Sequence, residues 1–202
     1  KNNLQLKINS LTDLSRPRDL RNTNNNKSNI KIQRLNDEDF NKGENFFRNI
    51  TDNIQVKDPV LVMPEILKIA LDNKIISICA SFFNALPKLT YLKLVKNYAN
   101  KLSRFDTQYF HYDENAIKLL KVFVYLNDVN NNTEGPFCYV RKSHLNAKKN
   151  WGKSVRYSDA EVEIMEDKKN IMEVTAKKGD IIIANTVALH RGIKPISKDR
   201  NI

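Results

Sequence analysis

Gln108-Tyr109-Phe110-His111-Tyr112-Asp113 is the stretch on which the reading of this chain turns. It falls in a run, Thr107 to Tyr112, whose β-branched and aromatic residues predict a strand. Successive strand side chains point to opposite faces, so His111 and Asp113 share one face while Tyr112 takes the other. Far downstream, Leu189-His190-Arg191-Gly192 supplies a second histidine, and the same parity turns Arg191 away from whatever His190 faces. The chain holds 3 histidines, His111, His144 and His190, so most of its imidazoles fall in this constellation. Two imidazoles and one carboxylate on one face of an ion leave its other positions open, which is the ligand set of non-heme Fe(II) oxygenases. Spacing alone leaves a rival reading in place: His111 and Asp113 as a hydrogen-bonded surface pair, with His190 a satisfied core histidine.

Outward from this stretch the pattern changes twice. On the N-terminal side, Asn36-Asp37-Glu38-Asp39 is a helix start followed by Phe40, Phe46, Phe47 and Ile50 at helical spacing. Pro64 suits a first helical turn, ahead of Ile66, Leu67, Ile69, Ala70 and Leu71. An apolar helix is expected over Ile75 to Leu86, ending before Pro87. Beyond Pro87 the periodicity shortens, and strands are expected over Thr90 to Val95, Thr107 to Tyr112, Leu119 to Leu126, Phe137 to Val140, Ile171 to Thr175 and Ile181 to Ala184. Ser158-Asp159-Ala160-Glu161 reads as a capping box on a short helix. Helices first and many short strands after predict an α+β fold, a β-sandwich or barrel with helices on one side.

Composition excludes several classes. A length of 202 residues suits one domain with a sizeable core. No apolar run approaches the roughly 18 residues of a membrane span, and Lys1 to Ser10 has no secretory pattern. Two cysteines, Cys79 and Cys138, lie too far apart in sequence to suggest a disulfide framework or a thiolate zinc site, and the expected compartment is the cytoplasm. The net charge of +11 is dispersed, with small clusters at Arg16-Pro17-Arg18, Lys148-Lys149 and Lys177-Lys178, so it reads as a solvated surface rather than a nucleic-acid footprint. The start at Lys1 and the stop after Asn201-Ile202 read as a trimmed chain, which leaves a lost targeting segment open.

Several segments together resemble the phytanoyl-CoA dioxygenase-like family. They are Gln108 to Asp113, Leu120-Lys121-Val122-Phe123-Val124-Tyr125-Leu126-Asn127-Asp128-Val129, Gly135-Pro136-Phe137-Cys138-Tyr139-Val140, Ser143-His144, Gly179-Asp180-Ile181-Ile182-Ile183 and Leu189 to Gly192. Order, spacing and flanks agree over about residues 60–202. The resemblance implies a double-stranded β-helix (jelly-roll, cupin-like) core with flanking N-terminal helices. Residues 1–35 would be an extension, partly loop around Asn22 to Asn29, and 36–202 the domain, with its C-terminal strand cut short. It implies an Fe(II)- and 2-oxoglutarate-dependent dioxygenase using O2 and releasing succinate and CO2, with a small-molecule substrate. His111, Asp113 and His190 become the metal ligands, and Arg200 the bidentate partner of the 2-oxoglutarate carboxylate.

Other positions stay open in the sequence. Gln108 is a candidate co-substrate contact, although its parity is opposite to that of His111. Lys121, Phe123 and Tyr125 share one strand face and Val122, Val124 and Leu126 the other; if the polar set faces inward, Lys121 or Tyr125 reaches the co-substrate. His144 reads as structural, and Asp180 as a turn residue after Gly179. Leu145 to Asp167, with Trp151, Arg156 and Tyr157, is a candidate substrate-facing lid. Where the family usually has Pro-Gly before Ser-His, this chain has Arg141-Lys142, which favours an anionic substrate or simply reflects the Lys/Arg excess. A last strand barely begun is expected to hold Arg200 poorly. The rival functions are an inactive jelly-roll binding module, a basic nucleic-acid-binding domain and a zinc hydrolase.

Overall fold

The structure, a computed structural model, describes residues 43–56, 59–114, 116–150 and 155–202. The expected helix start at Asn36 to Asp39, the 1–35 extension and Trp151 lie outside the described residues. Helices come first: α1 (Gly43–Ile50), then after β1 (Asn53–Val56) α2 (Pro59–Val62), α3 (Ile66–Ala70) and α4 (Asn73–Phe83). The strands follow as β2 (Leu94–Asn97), β3 (Leu120–Val124), β4 (Phe137–Val140), β5 (Ile171–Val174), β6 (Ile181–Asn185), β7 (His190–Gly192) and β8 (Arg200–Asn201), with α5 (Asp159–Met165) between β4 and β5. Among the described residues no helix is long and apolar enough to cross a membrane.

Local chemistry sets the helix ends. The Asp72 carboxylate accepts from the amides of Lys74 (2.9 Å) and Ile75 (3.2 Å), satisfying donors that the first turn of α4 leaves unpaired. Ile75 and Cys79, one turn apart, bury the inner stripe of α4, and Asn84 ends it at φ 55°, a left-handed position that Asn tolerates. Ser158 and Glu161 form the predicted capping box on α5: the Ser158 amide donates to the Glu161 carboxylate (2.7 Å), and the Glu161 amide to the Ser158 hydroxyl (3.3 Å).

The ladders are antiparallel. One runs β1-β2-β8, and the Leu126 amide donates to the Asn201 carbonyl at 2.9 Å, setting β8 beside the end of β3, which pairs with β6. The other runs β5-β4-β7, and β7 continues onto the 110–111 segment through the two backbone hydrogen bonds that join His111 to His190 (2.9 and 3.0 Å). On one face of the second ladder, Cys138, Val140 and Leu189 pack with Phe110, Tyr112, Val187 and Val162 of α5 as the largest core cluster. Leu189 and Val162 are fully buried, each stabilising by about 1.5–3 kcal/mol, so α5 seals this face. The opposite face carries Phe137, Tyr139 and His190.

Three expectations need correction. Thr107 to Tyr112 is not a continuous strand: Asp106–Gln108 is a 3-10 turn entered at a positive φ of 42°, and only Phe110 and His111 pair, as single bridges. Thr90 to Val95 begins its strand late, at Leu94, and β1 went unforeseen. Arg200 is held firmly, not poorly: it is 6% exposed, and its strand is fixed by bonds between Ile202 and Val95 (2.8 and 3.0 Å) and between the Asn201 amide and Asn127 Oδ1 (2.7 Å).

Candidate metal centre

His111 sits just past the 3-10 turn, Asp113 two residues on, and His190 opens β7. The backbone bridge between the two histidines brings their rings together, with centroids 4.3 Å apart and planes tilted by 51°. The Asp113 amide donates to the Thr186 carbonyl (3.0 Å), which fixes the segment beyond His111 against the turn before β7. The candidate ligand atoms of His111, Asp113 and His190 all lie within 4.8 Å of one another. His111 Nε2 is 3.9 Å from Asp113 Oδ1, and His190 Nε2 is 3.7 Å from Oδ2.

The tautomers follow from what each Nδ1 meets. His111 Nδ1 faces the Tyr109 carbonyl at 3.0 Å and His190 Nδ1 the Ala188 carbonyl at 2.8 Å. A carbonyl oxygen only accepts, so both Nδ1 atoms carry hydrogen and both Nε2 lone pairs are turned toward Asp113. Burial lowers the pKa of each histidine, and for His190 the neighbouring His111 adds to it, so both rings are kept neutral. Burial opposes ionisation of Asp113, but the Lys121 ammonium beside it favours the charged form, and the carboxyl is held below its usual range. Neutral imidazoles and an ionised carboxylate are the protonation states a divalent ion needs. A metal fits this donor set on its chemistry, with each imidazole oriented from behind by a hydrogen bond.

The structure also decides which face of β3 turns inward. Lys121 Nζ lies 2.6 Å from Asp113 Oδ2, Phe123 packs on Phe137 (4.8 Å), and Phe137 lies 5.7 Å from His190. Tyr125 is fully buried and its hydroxyl accepts the Phe137 amide hydrogen at 3.1 Å. Lys121, Phe123 and Tyr125 therefore line the same space as the triad. Sequence could not choose between two faces that each carry apolar side chains.

Arg200 reaches this space from β8. Its Nη1 donates to the Gly135 carbonyl and, at 3.4 Å, to that of Ile193, while its Nε is buried without a hydrogen-bond partner. Among the described residues no carboxylate pairs with it, and burial pulls its pKa below the ordinary value. A buried cation left without a counter-ion is costly, so the position suits an incoming anion. Gly192 makes room for it: a Cβ there would lie 2.9 Å from Arg200 Nη2.

The remaining candidates have local partners. Gln108 is buried, and its Oε1 accepts the Phe105 amide hydrogen (2.8 Å). His144 is exposed and apart from the triad, whereas Ser143 is fully buried and ties β7 to β4 by donating to the Val140 carbonyl and accepting from the Leu189 amide, each at 2.7 Å. Asp180 accepts the Lys177 amide hydrogen (2.7 Å) in the turn at Gly179. In the lid candidate, Tyr157 bridges to Phe110, and Asp159 binds Arg104 (2.8 Å) and Arg191. Ser143 and Gly192 stood in quoted motifs, but their roles depend on contacts across strands that sequence does not display.

Fold and site together define a class: an antiparallel β protein with two histidines and an aspartate converging inside it. The family profile described as Phytanoyl-CoA dioxygenase (PhyH) matches residues 31–200, and the chain belongs to that family of non-heme iron, 2-oxoglutarate-dependent dioxygenases. Among solved structures it is similar to HygX from Streptomyces hygroscopicus, determined with nickel, 2-oxoglutarate and hygromycin B bound (TM-score 0.52, 17% identity, 74% of this chain and 67% of that one). It is also similar to SnoK, a non-heme alpha ketoglutarate dependent carbocyclase from nogalamycin biosynthesis (TM-score 0.54, 17% identity, 75% and 61%). A third is EctD from S. alaskensis with bound Fe (TM-score 0.50, 18% identity, 74% and 54%). At these identities the likeness is one of fold. No curated protein matches the chain.

Proposed function

We propose that the protein uses Fe(II), 2-oxoglutarate and O2 to hydroxylate a small organic substrate, with release of succinate and CO2. The observation that carries this is the convergence of two buried neutral imidazoles and one ionised carboxylate beside a buried arginine that has no carboxylate partner among the described residues. His111, Asp113 and His190 would hold the metal, leaving positions open for co-substrates. Iron bound there supplies O2 activation coupled to decarboxylation of 2-oxoglutarate. Arg200 would take the far carboxylate of 2-oxoglutarate, with the rim of Gly192 kept clear for the guanidinium. Phe123, Phe137 and the half-buried Tyr139 wall the space and keep water from the reacting atoms. Gln108 and Lys121 already have protein partners, so their part in co-substrate binding runs through Phe105 and Asp113.

The strand order among the described residues supports a double-stranded β-helix, the core of a domain proposed to run over 36–202 with 1–35 as its extension. β2, β8, β3 and β6 form one layer, and the 110–111 segment, β7, β4 and β5 the other. Turnover tests the reading. With Fe(II), ascorbate and air, the wild type should convert 2-oxoglutarate to succinate, slowly even without substrate, and Asp113→Ala should not. Absence of succinate from a folded, iron-loaded wild type would leave a binding module instead.

A further inference from the structure

Lys121 is placed where its charge can decide how Asp113 binds. It projects from β3 opposite Ala184 of β6, whose single methyl leaves room for the lysine stem. Two residues on, Phe123 packs on Phe137, so the strand presents one residue to the metal centre and the next to the wall of the same space. Lys121 Nζ meets Asp113 Oδ2 at 2.6 Å, and the carboxylate side chain is only 12% exposed. Asp113 Oδ2 therefore meets the Lys121 ammonium as an ion pair, with His190 Nε2 3.7 Å away, while Oδ1 lies 3.9 Å from His111 Nε2. A carboxylate can give an ion one oxygen or both, and a ligand that gives both consumes a position the co-substrates need.

We infer that Lys121 is a positioning residue: by occupying Oδ2 it confines Asp113 to metal binding through Oδ1 and keeps a coordination position open for 2-oxoglutarate. This rests on the iron-site reading above. Groups that orient the ligands of a metal commonly change its affinity by about 10–100-fold when removed. A lysine that merely filled space would be replaced by methionine without effect on the ion. One that keeps Oδ2 from the ion would, on removal, free both oxygens for it and raise its coordination number.

Co(II) titration separates these outcomes, because the visible absorption of Co(II) reports its coordination number. For Lys121→Met we expect a Co(II) spectrum shifted toward higher coordination before 2-oxoglutarate is added, metal binding no weaker than in the wild type, and 2-oxoglutarate affinity reduced roughly tenfold at saturating metal. Lys121→Arg, which keeps the charge and the donor, should restore the wild-type spectrum. Circular dichroism of both variants should match the wild type. A folded Lys121→Met protein whose Co(II) spectrum is unchanged, or whose metal binding weakens, overturns the inference while leaving the iron site standing. A folded wild type that binds no Co(II) overturns the iron-site reading and the inference with it.

Discussion

Lys142 adopts φ 66°, a left-handed conformation that costs a side-chain-bearing residue roughly 1–2 kcal/mol. It leads into the buried Ser143, so the turn is held in a shape that a side-chain-bearing residue resists. Lys142→Gly should relieve the strain and raise stability by about 0.5–1 kcal/mol after the entropy of a freer unfolded chain is counted. A shift of the urea midpoint at constant slope would show it. Gly192 poses the opposite problem. A methyl group there would stand 2.9 Å from Arg200 Nη2 and push the guanidinium off its position. Gly192→Ala should weaken 2-oxoglutarate binding roughly tenfold, which is about 1.4 kcal/mol, while leaving metal affinity intact. Isothermal titration of each ligand in turn would separate the two effects.

Ion pairs tie the elements around the centre. Asp159, the first residue of α5, joins Arg104 to Arg191, which follows the candidate ligand His190 and lies over the Phe110 ring at 4.4 Å. Asp159→Asn should cost about 2 kcal/mol, as for hydrogen bonds to charged groups, read from the denaturant midpoint. On the far side, Asp199 ties α1 to the strand pair β2-β8 through Arg48 (2.5 Å) and the Ala99 amide (2.8 Å). Burial opposes ionisation at both aspartates, but their arginine and amide partners hold each below the ordinary value of 3.8. A depressed acid contributes stability above its unfolded pKa and loses it as pH falls through the folded one. Stability should therefore hold near neutrality and decline below about pH 4, with a shallower acid limb in Asp199→Asn.

At the scale of the whole molecule, legibility in the sequence followed the kind of interaction. Phe137 to Val140 was readable because a buried strand needs an unbroken apolar run, Ile181 to Ala184 from a similar β-branched run although only Ala184 of it is buried, and α5 because its capping box is local. The convergence of His111, Asp113 and His190 was readable from parity and from the motifs around them, even though the 107–112 run proved to be a turn and two bridges rather than a strand. β1, Asn53–Val56, carries too little apolar patterning to announce itself and exists because β2 pairs with it. The inward face of β3, the Lys121–Asp113 contact and the secure seat of Arg200 are products of packing between distant segments. The central claim is that His111, Asp113, His190 and Arg200 assemble one iron and 2-oxoglutarate site. Anaerobic addition of Fe(II) and 2-oxoglutarate to the folded protein tests it most directly. The account predicts a visible metal-to-ligand charge-transfer band in the wild type, lost in Asp113→Ala with the fold retained. A folded wild type that shows no band would contradict it.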